Sequence, residues 1–156
     1  MSARARTADA VATAVAHYAP RGRECAYGNL RLLARVVGTV YEDALRPVDL
    51  HPGQLMLLWA IIAIEPVEMA RLGQVTLTDP TTLSRTVEKL RKAGLVVVRP
   101  GADERRKEVS VTAKGRARFA AAMPCWESAQ RRAAALLPLG DIRALARQVR
   151  KAAAAS

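Results

Sequence analysis

The stretch that constrains this chain most begins at Asp79-Pro80 and continues Thr81-Thr82-Leu83-Ser84-Arg85-Thr86-Val87. Asp is a preferred helix N-cap, and Pro suits the first helical position because its missing N–H would be unpaired there. The spacing predicts a helix over Thr81–Ala93. Leu83, Val87 and Leu90 recur at i, i+4, i+7 as one apolar stripe. The remaining surface carries Thr81, Thr82, Arg85, Thr86, Lys89 and Lys92, with Glu88 its one acid. Gly94 falls where a helix C-terminal cap belongs. Leu95-Val96-Val97-Val98-Arg99 is a β-branched run that Pro100-Gly101 breaks, and Glu108-Val109-Ser110-Val111 alternates as its returning strand. The charged run Asp103-Glu104-Arg105-Arg106-Lys107 forms the tip between them. Thr112 then caps a further helix, with Ala113-Lys114-Gly115 as its first turn.

A helix of this length with a polar, cationic face fits the major groove of B-DNA, about 12 Å wide. A hairpin beside it reaches the flanking minor groove. From Lys89 to Arg118 there are ten Lys or Arg against three acids, which places +7 of the chain's +11 in this stretch. A solvated charged face is the ordinary meaning of such a run, but here the charge coincides with a reading-head topology. An anionic membrane would also attract a basic chain. It calls for cations along one amphipathic helix with a broad apolar face, whereas the densest cations here occupy a hairpin tip.

Thr81 to Val87, Gly94-Leu95-Val96, Asp103-x-Arg105 and Val111-Thr112-Ala113-Lys114-Gly115, in this order, resemble the MarR family of bacterial transcription regulators. The resemblance extends to Tyr41-Glu42-Asp43-Ala44-Leu45-Arg46-Pro47 with Leu50-His51-Pro52-Gly53-Gln54. Met123-Pro124-Cys125-Trp126-Glu127 with Ala129-Gln130 is similar to a subgroup of the family. It implies a mainly α fold with a small β-hairpin wing: a winged helix-turn-helix plus a helical dimerisation domain formed by the N- and C-terminal helices. The expected division is an N-terminal dimerisation segment over 1–50, the DNA-binding domain over 51–115 and a C-terminal dimerisation segment over 116–156.

The rest of the chain fits that order. Residues 1–20 are Ala-rich, with Val11, Val15 and Tyr18 on one face, and form either a loose tail or a helix docked on a partner subunit. A long helix is expected over Glu24–Leu45, with an apolar face wide enough for burial on two sides, as at a subunit interface. Pro52 starts the next helix, which Glu65-Pro66 ends near Ile64. A short supporting helix over Val67–Val75 precedes Thr76-Leu77-Thr78, a turn more polar than the family's. Thr112 to Leu137 reads as a long helix that Pro124 should kink, and Asp141 caps a last helix with Ile142, Leu145, Ala146 and Val149 on its apolar face. No leader sequence is visible, and the longest apolar run, Leu55–Ile64, is too short to span a bilayer, so the expected location is cytoplasmic. Cys25 and Cys125 do not make a disulfide framework.

Base readout falls to Thr81, Thr82, Arg85 and Thr86, because Thr methyls suit thymine and Arg pairs with guanine in bidentate fashion. Ser84 is a further DNA-binding candidate, closer to the packed side. The resemblance implies that Arg105 sits at the wing tip in the minor groove and that Asp103 orients it. A narrow minor groove concentrates negative potential, which suits a pre-oriented guanidinium. Lys89, Arg106 and Lys107 are assigned to phosphates.

The resemblance also implies homodimeric binding to a pseudo-palindromic operator and release by a small molecule, often an anionic phenolic compound. Tyr27, Arg31, Arg35, His51 and Trp126 are its candidate pocket. Two other readings compete. One is a redox-sensing regulator gated by Cys25, with Cys125 as a second thiol, set against two small buried hydrophobes. The other is a non-specific architectural DNA-binding protein. His17, His51 and two scattered cysteines do not make a zinc site. No nucleophile–base arrangement or phosphate loop supports an enzyme, and no cofactor is expected.

Overall fold

The computed structural model describes residues 12–101 and 106–154. Val11, Asp103 and Arg105 therefore lie outside the described residues. The chain divides into two compact units, one ending at Thr39 and one beginning at Val40.

In the first unit, residues 12–18 are helical (α1) and lead into a 3-10 turn, Ala19–Glu24, at Pro20-Arg21-Gly22. The long helix α2, Ala26–Leu45, follows and runs on into the second unit. It starts after the turn rather than at Glu24, because Cys25 is extended and its N–H bonds to Gly22 O.

The second unit continues with a 3-10 turn (Arg46–Val48), α3 (Pro52–Ile64), β1 (Val67–Glu68), α4 (Met69–Thr76), α5 (Pro80–Lys92), β2 (Val96–Pro100), β3 (Lys107–Val111), α6 (Ala113–Leu136) and α7 (Leu139–Ala154). α3 is apolar nearly all round, and such a helix belongs inside. Leu55, Leu57, Leu58 and Ile61 are buried in the core with Leu72, Leu83, Val87, Leu90, Val109 and Val111. Each such side chain contributes roughly 1.5–3 kcal/mol by leaving water. Trp59 on α3 meets Phe119 and Trp126 on α6 edge to face, with ring centroids 5.4 and 5.2 Å apart. Tyr41 donates to Gln130 Oε1 at 2.6 Å, and burial raises its hydroxyl pKa. No single helix among the described residues is long and apolar enough to cross a membrane.

Two further element boundaries differ from the sequence expectation. Val67 and Glu68 form a third strand, paired antiparallel with Val109 and Glu108, so the sheet order is β1-β3-β2. That pairing holds Val67 and Glu68 extended, so α4 begins only at Met69. At the C-terminus, the N–H groups of Asp141 and Ile142 both bond to Pro138 O, so α7 begins at Leu139. Asp141 lies in the first turn, where its charge favours the positive helix end, instead of capping it. α6 runs as one helix through Pro124.

The start of α6 is seated directly on the start of β2. A Cβ at Gly115 would stand 2.0 Å from Leu95 O and 2.7 Å from Val111 Cγ1, so only glycine allows this approach. Beside it, the mostly buried Glu65 carboxylate accepts from Val111 N at 2.5 Å and pairs with Arg116, tying α3, β3 and α6 together. A carboxylate so far from water persists because both oxygens are engaged. Gly115→Ala should destabilise the fold by about 2–4 kcal/mol, since the obstructing atoms are backbone and cannot rotate aside. Urea unfolding of the two proteins measures this, and equal midpoints would refute the close approach.

Candidate nucleic-acid interface

α5 is built as its residues require. Asp79 Oδ1 accepts from Thr82 N at 2.9 Å, an N-cap, with Pro80 in the first turn. That hydrogen bonding with Thr82 holds the Asp79 carboxyl below its ordinary pKa. Leu83, Val87 and Leu90 turn inward. At the other end Gly94 adopts φ +72°, with Gly94 N bonded to Arg91 O and Leu95 N to Leu90 O, both at 2.9 Å. This pair of bonds is a Schellman motif.

The turn between α4 and α5 uses its polar residues internally. Leu77 is left-handed at φ +49°. Thr76 Oγ1 donates to Leu72 O at 2.7 Å, and Thr78 N bonds to Gly73 O at 3.0 Å. The threonines that set this turn apart from the family's pattern thus close the C-terminal end of α4.

Thr81, Thr82, Ser84, Arg85 and Lys89 are exposed on α5. At 100° per residue, Thr81, Arg85, Lys89 and Lys92 lie broadly opposite the buried stripe. Thr86 is half-buried, and its hydroxyl donates to Thr82 O at 2.9 Å. Ser84, Glu88 and Arg91 face the hairpin and line a cleft of about 410 Å³ with Val98, Arg99 and Lys107. Arg99 and Lys107 sit on adjacent strands, where Arg99 pairs in register with Glu108 and Pro100 with Lys107. Sequence reasoning passed over Arg99 as a strand residue; its exposed position at the end of a valine run was the available signal.

The cations of this region divide into two groups. Arg91 is held by Glu88 through two bonds of 2.7 and 2.8 Å, which lower the Glu88 pKa and raise that of Arg91. Arg106, assigned from sequence to phosphate, reaches both Glu68 oxygens at 3.1 and 3.2 Å. Lys114 donates to Ala93 O, Arg116 pairs with Glu65, and Arg118 donates to Val48 O at 2.8 Å. Arg85, Lys89, Lys92, Arg99 and Lys107 make no ion pair among the described residues.

The residues proposed for an effector or sensor fall in both units: Cys25, Tyr27, Arg31 and Arg35 in the first, and His51, Cys125 and Trp126 in the second. Arg31 donates to Tyr27 OH at 3.3 Å and lies over its ring, both exposed on α2. Arg35 is exposed on the same helix. His51 caps α3, accepting from Gly53 N at 3.2 Å, and its Nε2 lies 3.1 Å from Glu42. Trp126 belongs to the aromatic cluster with Trp59, and Cys125 packs half-buried against the core. Cys25 is an exposed free thiol.

A capped helix with a cationic outer face, a supporting helix across a tight turn and a flanking hairpin define a winged helix-turn-helix DNA-binding regulator. A model of the MarR family matches residues 48–107. The Mycobacterium tuberculosis transcriptional regulator MosR, solved in complex with DNA, is 36% identical over 84% of this chain and 97% of its own, with a TM-score of 0.75. A probable transcriptional regulator from Pseudomonas aeruginosa is 26% identical, covering 83% of this chain and 97% of its own at a TM-score of 0.69. Bordetella bronchiseptica BpsR, at 21% identity, 83% and 94% coverage and a TM-score of 0.72, shares the fold. No functionally curated protein matches the chain significantly. The chain belongs to the MarR family of DNA-binding transcription regulators.

Because Asp79 has a lowered folded pKa, its cap contributes stability above the unfolded aspartate value, about 3.9, and loses it as pH falls through the lower folded value. The stability difference between wild type and Asp79→Ala should stay constant from neutral pH to about 5 and shrink below about 4. Chemical unfolding across that range tests it; a gap that widens toward acid contradicts the sign.

Proposed function

We propose that the chain acts as a homodimeric repressor on a pseudo-palindromic operator and that a small molecule releases it. The observation that carries the DNA half is the row Arg85, Lys89 and Lys92 on α5 beside Arg99 and Lys107, cations that make no ion pair among the described residues. In this reading α5 enters the major groove with Thr81, Thr82 and Arg85 toward base edges, and Thr86 supports the helix from its half-buried position. The hairpin enters the minor groove, with Arg105 at its tip oriented by Asp103. The sugar–phosphate strand between the two grooves then runs along the cleft, where Ser84, Arg99 and Lys107 meet it and Lys89 holds the next phosphate. Arg106 is assigned to bracing the hairpin through Glu68. Solved DNA complexes of MosR and of other proteins of the same fold support this reading.

Dimerisation rests on apolar rows that the single chain leaves uncovered. Tyr27, Leu30 and Leu33 on α2, and Ile142, Leu145 and Val149 on α7, are all exposed at helical spacing. Segments 1–50 and 116–156 are therefore assigned to the subunit interface. The two reading heads would meet half-sites about 10 bp apart. A releasing ligand must prefer the unbound spacing of the heads, since only differential affinity shifts such an equilibrium. BpsR, whose DNA binding is regulated by 6-hydroxynicotinic acid, suggests an aromatic acid as the kind of effector. Tyr27, Arg31 and Arg35 offer it an aromatic face and two cations.

Titration of the purified dimer with a duplex it enriches from a random-sequence pool tests the reading. Arg85→Ala and Arg105→Ala should each weaken that complex by roughly 1–3 kcal/mol with the dimer intact. Lys107→Ala should lower the salt slope by about one, and an unaltered slope removes the phosphate contact.

A further inference from the structure

The turn Thr112-Ala113-Lys114-Gly115 is assigned no DNA contact in the proposed reading, yet it closes the far end of α5. The last carbonyls of a helix lack intrahelical partners. At α5 the Schellman bonds take Leu90 O and Arg91 O, and the carbonyls just beyond, Ala93 O, Gly94 O and Leu95 O, accept from Thr112 and Lys114 at the start of α6. Lys114 Nζ donates to Ala93 O at 2.8 Å. The Thr112 hydroxyl lies 2.7 Å from Gly94 O and 3.2 Å from Leu95 O, and Thr112 N bonds to Leu95 O at 3.0 Å. The same hydroxyl accepts from Gly115 N at 3.0 Å, so it cannot rotate away without opening α6. The Lys114 stem passes over Gly94, with Cδ and Nζ 3.7 Å from where a Cβ would be, and its cation rests at the negative end of the α5 dipole.

We propose that this turn is a latch that sets the rotation and axial position of α5, and that Lys114 and Thr112 are positioning residues for sequence recognition that do not touch DNA. The inference rests on α5 being the DNA-reading helix. Along its length α5 is held by Leu83, Val87 and Leu90, whose packing is non-directional. Directional bonds to the rest of the unit are concentrated at its C-terminal end. Base readout through short threonine side chains and a bidentate arginine tolerates little displacement of the helix. Phosphate contacts through long flexible lysines tolerate more. Opening the latch therefore costs discrimination before it costs general affinity.

The test uses full-length Lys114→Met, Lys114→Arg and Thr112→Val with two duplexes: one that the wild-type protein enriches from a random pool, and a scrambled duplex of the same composition. Lys114→Met should lose roughly tenfold in affinity for the enriched duplex, with the scrambled duplex and the salt slope unchanged. Arginine at 114 reaches the same carbonyl and should restore affinity; Thr112→Val should repeat the selective loss. Equal loss on both duplexes with a slope lower by about one would make Lys114 a phosphate contact and overturn the latch. A lower melting temperature with unchanged affinity would reduce it to a stabilising contact and overturn it too. A wild-type protein that does not distinguish the duplexes overturns the reading of α5 itself, and the latch with it.

Discussion

The carbonyl of Leu95 is the point on which the DNA-binding unit turns. Its residue closes the α5 cap through its N–H and immediately precedes β2, while the oxygen accepts from Thr112 and lies in the space that a side chain at 115 would fill. A buried backbone oxygen needs a partner, and supplying one here draws the start of α6 onto the end of α5. The hairpin follows, since β2 leaves from this oxygen and β3 returns to it. Helix, hairpin and connecting helix thus share one small region of backbone in addition to the apolar core that Leu83, Val87, Leu90, Val109 and Val111 help to form.

A second theme is the double use of positive charge. The run that marks this chain as a polyanion binder contains cations spent within the protein: Arg91 on Glu88, Arg106 on Glu68, Arg116 on Glu65, Lys114 on Ala93 O. These pairs are mostly exposed, and exposed pairs stabilise little individually. Their effect is geometric, because they fix which way strands and helix ends point. Among the described residues of this run, Lys89, Lys92, Arg99 and Lys107 make no ion pair, and they lie on α5 and on the two hairpin strands. Net charge alone therefore overstates how much of the surface is presented to a ligand.

Much of this was legible in the sequence, for local reasons. Asp79-Pro80, the Leu83/Val87/Leu90 spacing and Gly94 are caps and periodicity, and α5 came out within a residue of expectation. The valine run and the alternation at Glu108–Val111 gave the hairpin for the same reason. The two-residue strand β1 was not legible, since it exists only by pairing with Val109 and Glu108 some forty residues later. Nor was the role of Glu65, whose hydrogen bond to Val111 N spans 46 residues. The start of α7 was misplaced because Asp141 looks like a cap when the Pro138 carbonyl is already doing that task. Which cations stay outward is a question of pairing in space, and Arg99 was missed for that reason.

The hairpin closes with Gly101 N bonded to Arg106 O at 2.7 Å, and its returning strand is gripped on both sides, by β2 and by β1. Slippage of that strand would have to break two ladders at once and turn Val109 out of the core. Register is thereby decoupled from whatever lies beyond the closing bond. What fixes the mount is carried by the paired strands and their closing bond, not by the sequence between Gly101 and Arg106.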